Sequence, residues 1–327
     1  NHPNIEVFEN YFAIEIITQH HLGQLVKHTT PNITCYGVYV LNPRTRRVHT
    51  FLSKVTMMAT GGIGQIYQTT TNPSIATGDG ISMVYRAKGL VKDMEFVQFH
   101  PTSLYNPGQK PSFLITEAMR GYGAVLRTIK GKEFMHKYDK RGSLAPRDIV
   151  ARSIDTEMKL AGCDYVYLDV THKNAEETKE HFPMIYEKCL SLGIDITKDY
   201  IPVVPAAHYL CGGILVDTNG CSSIKNLYAA GECSCTGLHG ANRLASNSLI
   251  EAIVYADAAA KHSLSLIDEI SIREDVPLWN DDGTSLNEEM ILITQSLKEV
   301  SSVMSNYVGI VRSNLRLKRA FDRLEIL

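Results

Sequence analysis

The apolar residues in the N-terminal part of the chain follow a pattern that is typical of a β-rich segment. Short apolar runs separated by polar stretches predict strands over Ile5–Phe8, Thr34–Leu41, Arg47–Leu52 and Val55–Thr60, with a turn at Asn42–Arg44. The last run is followed directly by glycines, so the segment is expected to return to a buried strand at this point.

Three helices are indicated by helical spacing of apolar residues and by residues that start or stop helices. One begins near Gly78, with Ile81, Val84 and Tyr85 at helical spacing and a glycine stop at Lys88–Gly89. Another covers Pro146–Ala161, with proline in its first turn. The third covers Ser248–His262 and places Leu249 and Ile253 on one apolar face.

The order of these elements predicts an interrupted domain. Between about Glu95 and Pro205, short helices alternate with single strands, and buried-strand character returns at Gly212–Val216 and Asn226–Ala230. We therefore expect an inserted α+β capping domain within an α/β domain.

A polar linker over residues 274–283 precedes a third, helical part. There Ser285 and Glu288 have the spacing of a capping box. The predicted boundaries are 1–93 and 209–273 for the first domain, 94–208 for the inserted domain and 284–327 for the start of the helical domain.

Composition and charge exclude several classes of protein. The 327 residues are 44% hydrophobic and 21% charged, with a formal net charge of -2, which gives no basic field for nucleic acid. No apolar run approaches the roughly 18 to 20 residues of a membrane span, and a cytoplasmic location is expected. The seven cysteines are scattered, so reduced structural thiols are favoured over a metal site.

Two strand ends carry glycines that would let a ligand approach the backbone. Ala59–Gly62 follows one apolar run, and in Leu227–Glu232 a second strand ends in glycine beside the carboxylate of Glu232. Either motif alone is more often a plain turn, but the pair indicates a flavin or nucleotide.

The start of the third helix is a further candidate. Ser248 and Glu251 have capping-box spacing, and the exposed N–H groups of a helix start favour negative charge, such as that of a reduced flavin. An ordinary well-capped helix is the alternative, and by itself it is favoured.

Arg147 is the most informative single residue. It lies in the first turn of its helix, where the helix dipole disfavours a cation, and it shares a face with Ala151, Ile154 and Met158. An inward arginine needs an anion, which is either a bound ligand or a structural carboxylate. The helix alone favours neither.

Further polar groups stand in apolar or glycine-rich surroundings: His100, Thr116, Glu117, His208 and Arg243. Any one such histidine is more often a hydrogen-bonded core residue than a ligand. Together with Arg147, however, the set suits a substrate with two carboxylates, because arginine binds carboxylate in a planar, bidentate manner.

These motifs resemble those of the succinate dehydrogenase, fumarate reductase and L-aspartate oxidase flavoproteins. The resemblance spans nearly the whole chain and rests on five phrases in order: Gln98–Thr102, Leu114–Glu117, Pro146–Asp148, His208–Tyr209 and His239–Arg243. Within the family, three segments favour the L-aspartate oxidases: Ala245–Leu249, Phe182–Lys188 and Val204–His208.

The resemblance implies a glutathione-reductase-like FAD-binding domain and oxidation of L-aspartate to iminoaspartate by hydride transfer to flavin. Oxygen or fumarate would accept the electrons. The oxidation would be the first step toward quinolinate and NAD, with possible coupling to quinolinate synthase. The resemblance assigns Arg147 as the catalytic residue. The implied substrate-binding residues are His100, Thr116, Glu117, His208 and Arg243, and the implied contacts to non-covalent FAD are Ala13, Asp79, Glu232, Ser248 and Leu249.

The chain departs from the family in lacking the N-terminal Gly-x-Gly-x-x-Gly unit that cradles the FAD pyrophosphate. It also begins without Met inside an apolar run. We therefore expect a fragment that is inactive alone and binds FAD weakly or not at all.

Two other functions remain open at this stage. One is a fumarate reductase or succinate dehydrogenase flavoprotein subunit, and the other is a non-catalytic dicarboxylate-binding protein.

Overall fold

The computed structural model describes residues 2–285 and 289–327. They form two compact units. Among the described residues, the first unit comprises 2–62, 78–97 and 210–285, and the second comprises 63–77, 98–209 and 289–327. The three-part division expected from the sequence stays a prediction. The capping box of Ser285 and Glu288 also stays a prediction, because Glu288 lies outside the described residues.

Twelve strands are assigned among the described residues. They are β1 (Phe12–Ile17), β2 (Gly37–Asn42), β3 (Arg47–Leu52), β4 (Thr56–Met58), β5 (Val91–Lys92), β6 (Val97–Leu104), β7 (Val125–Arg127), β8 (Val166–Asp169), β9 (Ile201–Leu210), β10 (Gly213–Leu215), β11 (Leu227–Ala229) and β12 (Ser234–Cys235).

Eight α-helices accompany these strands in the same described ranges. They are α1 (Asp79–Arg86), α2 (Glu117–Tyr122), α3 (Arg147–Ala161), α4 (Ala175–His181), α5 (Pro183–Leu190), α6 (Asn247–Leu266), α7 (Met290–Tyr307) and α8 (Asn314–Leu324).

The first unit contains three small sheets. Strands β1, β2 and β3 form an antiparallel sheet, β4 pairs with β11 in parallel, and β10 lies between β12 and β5. The strand over Arg47–Leu52 and the turn before it are confirmed.

The strand expected over Ile5–Phe8 is wrong. These residues have irregular backbone, and Ile5 and Val7 are 67% and 74% exposed. The first strand begins instead at Phe12, because there the chain pairs with β2 and buries Ile16 and Ile17.

Helix α1 begins directly after Gly78, whose φ of 80° is readily adopted only by glycine. Its buried face contains Ile81 and Val84, as the spacing predicted. The predicted stop is displaced by one residue, since Lys88, with φ 67°, and not Gly89, takes the left-handed conformation.

The second unit is built on one four-stranded sheet in the order β6-β9-β8-β7. A single apolar core joins this sheet to the helices, and Leu168 on β8, Ile154 on α3 and Ile185 on α5 all belong to it. Helix α3 begins one residue later than expected because Pro146 is its N-cap, and it ends at Gly162 in the left-handed conformation.

The C-terminal helices α7 and α8 pack against each other, and α7 also packs on the segment around Gln68. The Gln68 backbone N–H donates to Ser305 Oγ at 2.8 Å, and the Tyr67 hydroxyl donates to the Val308 carbonyl at 3.4 Å. This C-terminal part is therefore integral to the second unit. Within residues 2–285 and 289–327, no helix is both long and apolar enough to cross a membrane.

Candidate active site

A carboxylate and an arginine meet at the starts of two helices of the second unit. Thr116 caps α2 by accepting from the Ala118 N–H at 3.3 Å, which leaves Glu117 as the first helical residue. Arg147, the first residue of α3, donates its Nε–H to Glu117 Oε2 at 2.5 Å. The anion required by the inward arginine is thus a protein carboxylate.

The ion pair does not use all of the donors of Arg147. Its two terminal nitrogens make no hydrogen bond to any residue within the described ranges, and 21% of its side chain is exposed. A carboxylate from solution could therefore still bind the outer edge of the guanidinium.

Arg120 is a member of this cluster that the sequence analysis missed. It is only 1% exposed, its Nη2 lies 3.3 Å from Glu117 Oε1, and its Nη1 donates to the Ser143 carbonyl at 2.9 Å. Burial lowers the pKa of Arg120, and the charge of Glu117 opposes this effect. Two guanidinium groups against one carboxylate leave one positive charge in excess, which suits an anionic ligand.

Two of the predicted histidines lie on adjacent strands. His100 on β6 and His208 on β9 have ring centroids 5.6 Å apart, and His208 Nδ1 lies 2.7 Å from Thr71 Oγ1. The pKa of His100 is lowered to about 3, chiefly by burial and in addition by the charges of His208, Arg147 and Arg120. His100 is therefore a neutral imidazole at neutral pH.

The tautomer of His100 depends on one backbone contact. Its Nδ1 lies 3.1 Å from the Thr102 carbonyl and 3.3 Å from the Thr102 N–H, and a neutral ring can use only one of these. If Nδ1 accepts from the Thr102 N–H, then Nε2 carries the proton and can donate to a ligand.

Thr116 and His208 open into the same cleft of the second unit, which has a volume of about 840 Å³. The cleft is walled by two apolar segments, Pro111–Leu114 and Phe182–Ile185, and Lys188 adds a cation. Segment 182–188, which favoured one branch of the family in the sequence, therefore flanks two of the expected substrate-binding residues.

The two glycine-containing strand ends meet in the first unit. Strands β4 and β11 pair in parallel, so their carboxyl ends lie at the same edge. A Cβ on Gly62 would stand 2.1 Å from Glu232 Oε1, and one on Gly80 would stand 2.1 Å from Thr60 Oγ1. At both positions a side chain would therefore force its neighbour to move.

Glu232 is held in a defined position at this edge. Its Oε1 accepts from the Leu210 N–H at 2.9 Å. Burial raises the pKa of Glu232, while the Leu210 N–H and the charge of Arg243 lower it. Across the described part of the chain, Oε2 makes no hydrogen bond, so it can accept one from a ligand hydroxyl. This fits the sugar-like hydroxyls of a flavin cofactor.

The capping box predicted at the start of α6 is wrong. The helix begins at Asn247, and its N-cap is Ser246, with φ 69° and no side-chain capping bond. Ser248 Oγ instead accepts from Arg243 Nη1 at 3.1 Å. Because the helix starts earlier than expected, Glu251 lies in its second turn and points inward, where it is 2% exposed.

The apolar face of α6 is not a core face within its unit. Leu249 and Ile253 are 72% and 71% exposed, and the buried positions of the helix are Glu251 and Ala259. The exposed Leu249 at the helix start is accessible to a ligand.

The other two expected cofactor contacts also lie in the first unit. Ala13 lies in β1 at an irregularity in its pairing with β2, and Asp79 is the first residue of α1. All five residues stay predictions as FAD contacts. Among the residues described, no group of three or more His, Cys, Asp or Glu side chains could hold a metal ion.

The sequence matches the family described as FAD binding domain over residues 2–249. It is 52% identical over 324 residues to the L-aspartate oxidase of Acinetobacter baylyi, covering 99% of this chain and 59% of that protein. It is 50% identical over 325 residues to the L-aspartate oxidase of Pseudomonas aeruginosa, again covering 99% and 59%.

Among solved structures, the quinol fumarate reductase of E. coli is 28% identical with a TM-score of 0.77, covering 99% of this chain and 57% of that chain. These matches confirm the resemblance and the mixed α/β class inferred from the sequence. The chain spans less than two thirds of the length of each of these relatives.

Proposed function

The chain belongs to the FAD-binding domain family, and from this premise we propose that its protein oxidises L-aspartate to iminoaspartate. The observation that carries the proposal is the cluster of Arg147, Glu117 and Arg120, with its excess positive charge and its neutral neighbour His100. Such a cluster suits an anionic substrate, and the L-aspartate oxidases at about 50% identity support the choice of aspartate.

Arg147 is the proposed catalytic residue. Its Nε is held by Glu117, so its two terminal nitrogens are oriented to bind one substrate carboxylate in a bidentate manner. The oxidation removes a hydride from Cα and a proton from the amino group. A fixed guanidinium can hold the substrate in orientation and stabilise charge that develops on its carboxylate.

The neutral His100 is proposed to donate Nε2–H to a substrate carboxylate, with Nδ1 accepting from the Thr102 N–H. His208 and Thr116 are proposed to contact the same ligand from the cleft that they share. Arg243 is proposed as a further carboxylate-binding residue. A dicarboxylate needs more than one such group, which a single guanidinium cannot supply.

The residues proposed to hold FAD are Ala13, Asp79, Glu232, Ser248 and Leu249. Bound FAD would supply the hydride acceptor, with oxygen or fumarate as the final electron acceptor. The accessible Glu232 Oε2 and the N–H groups at the start of α6 fit the hydroxyl and the electron-rich parts of a flavin. The weak FAD binding expected for this chain stays a prediction, and a stoichiometric flavin content would contradict it.

The proposal is tested by assaying the full-length, FAD-loaded protein with L-aspartate and with succinate. We expect hydrogen peroxide in air with aspartate, and aspartate-dependent reduction of fumarate without oxygen. Turnover of succinate alone would overturn the proposal. Coupling to quinolinate synthase and a cytoplasmic location remain predictions from the sequence.

A fumarate reductase or succinate dehydrogenase flavoprotein subunit is the second candidate. The similarity to quinol fumarate reductase over nearly the whole chain favours it as a relative. Turnover of succinate and not of L-aspartate in the assay above would distinguish this candidate from an L-aspartate oxidase. A non-catalytic dicarboxylate-binding protein would show ligand binding lost in Arg147→Ala, with no flavin-linked turnover in either arm.

A further inference from the structure

A buried carboxylate of the first unit has no role in the function proposed above. Glu251, in the second turn of α6, is 2% exposed, and its two oxygens have different partners. Oε2 lies 2.6 Å from His239 Nε2, and Oε1 accepts from the Thr236 hydroxyl. One carboxylate therefore binds two points of the segment that precedes its helix.

That segment, residues 236–246, runs between β12 and α6 without regular secondary structure and contains Arg243. Two of its turns need positive φ at Gly237 and Gly240, with φ 84° and 53°. The contacts of Glu251 with Thr236 and His239 therefore help to hold this irregular segment.

The hydrogen bonds continue from Glu251 toward Arg243. His239, which contacts Glu251 through Nε2, accepts from the Asn242 N–H through its backbone carbonyl at 3.3 Å. Asn242 immediately precedes Arg243, whose Nη1 donates to Ser248 on the same helix as Glu251 at 3.1 Å. The guanidinium of Arg243 is therefore held by α6, and the residue immediately before Arg243 is held by the His239 carbonyl.

We propose that Glu251 and His239 are positioning residues that set the orientation of Arg243 for a substrate carboxylate. The inference rests on the proposed function in one respect, namely that Arg243 binds substrate. When either side of this buried contact is removed, the polar group that is left keeps its desolvation cost, so the segment shifts until that group is satisfied again. Displacing a guanidinium by about 1 Å is enough to lose a bidentate contact.

The test measures the Kd of malonate by isothermal titration calorimetry on the full-length, FAD-loaded protein. Malonate is a dicarboxylate that has no amino group or adjacent pair of methylenes to oxidise. We expect Arg243→Ala to raise Kd on the order of 100-fold, because it removes a charged partner. Glu251→Ala is expected to raise Kd about tenfold.

A double variant separates positioning from a general structural effect. If Glu251 acts through Arg243, then adding Glu251→Ala to Arg243→Ala leaves Kd unchanged within about twofold. In aspartate turnover, Glu251→Ala should raise KM more than it lowers kcat. His239→Gln places an N–H where Nε2 stands and should restore most of the affinity lost in His239→Ala.

The matched control is His262→Gln. This imidazole lies on the same helix and contacts the Tyr228 hydroxyl at 2.8 Å, apart from the segment that contains Arg243. Its Kd for malonate should match that of the unmodified protein. If Glu251→Ala does not fold, judged by circular dichroism, then Glu251→Gln and the two His239 variants carry the test.

The outcomes are distinguishable. An unchanged Kd in Arg243→Ala removes the premise and with it the proposed role of Arg243. If Arg243→Ala raises the Kd of malonate but Glu251→Ala leaves it unchanged, the positioning role is overturned and the proposed function stays intact. Additive losses in the double variant also overturn it.

Discussion

In the second unit, Arg147 is held by the charged side chain of Glu117, whereas in the first unit Glu232 is held by a backbone N–H. Glu117 connects Arg147 to Arg120, and both of its partners carry full charges. Glu232, by contrast, is held by the Leu210 N–H, and Leu249 is an exposed side chain. Substitutions in the second unit should therefore affect activity and stability by changing charge, and those in the first unit by changing shape.

The largest effect is expected for Arg147→Ala. Loss of the guanidinium should lower kcat/KM for aspartate on the order of a thousandfold, because it removes both orientation and charge stabilisation. Steady-state kinetics of the full-length protein measure this loss. Arg152→Ala, on the same helix with a side chain 58% exposed and paired with Asp148, is the control and should change kcat/KM less than about twofold. Equal losses in the two variants would contradict the role of Arg147.

His100→Asn tests whether the neutral histidine makes stability depend on pH. The folded pKa of about 3 lies below the ordinary value of 6.5. As pH falls through this window, the unfolded chain takes up a proton that the folded chain refuses, so stability is lost. The loss is roughly 1 kcal/mol per pH unit, and it should be absent in the variant.

Urea unfolding between pH 7 and pH 4 measures this difference. The control is His172→Asn, a substitution of the same kind in the same unit at a side chain that is 42% exposed. A slope that is unchanged in His100→Asn would show that His100 is protonated in the folded protein.

Glu117→Gln should have an intermediate effect. The amide keeps the shape but removes the charge, which leaves two guanidinium groups without compensation. Because the Glu117 side chain is 43% exposed, screening should limit the loss of unfolding free energy to about 1–2 kcal/mol. Asp148→Asn, whose side chain is 42% exposed and paired with Arg152, should lose at most about 0.5 kcal/mol. If Glu117→Gln loses less unfolding free energy than Asp148→Asn, then Glu117 stabilises the protein no more than the exposed ion pair of Asp148 with Arg152.

In the first unit, Gly62→Ala should act through shape. The new Cβ would displace the Glu232 carboxylate and break its bond to the Leu210 N–H, at a cost of about 1 kcal/mol. FAD affinity, measured by flavin fluorescence of the full-length protein, should fall about tenfold. Gly121→Ala, where a Cβ meets no atom within 4 Å, should leave FAD affinity unchanged.

Leu249→Ser should have the smallest effect on stability. The side chain is 72% exposed, so the free energy of unfolding should change by less than about 0.5 kcal/mol. FAD affinity should nevertheless fall if Leu249 contacts the cofactor. If unfolding is affected and FAD affinity is not, Leu249 belongs to the packing of the unit.

The sequence was most informative where one residue type conflicts with its surroundings. Arg147 was found because a cation at a helix start on an apolar face needs an anion, and the structure supplies Glu117. Arg120 was missed because Glu-x-x-Arg spacing on a helix is also the spacing of an ordinary surface ion pair. Only its three-dimensional burial shows the difference.

The errors in the first unit have a common cause. Ile5–Phe8 and the apolar face of α6 were interpreted from local pattern, but burial depends on which surface packs against them. The start of α6 was displaced because Ser246 adopts a positive φ that its residue type does not predict. Once the helix begins at Asn247, Glu251 turns inward toward His239.

The bond between Gln68 and Ser305 has a consequence for the order in which the protein folds. These residues are separated by 237 positions, and the second unit is assembled from three distant stretches of chain. During synthesis, a chain that has emerged through Tyr209 contains two of these stretches but not the helix that covers Tyr67 and Gln68. The surface around Tyr67 and Gln68 therefore stays uncovered on the ribosome until α7 is released, and it is a part of the nascent chain that a chaperone would need to cover.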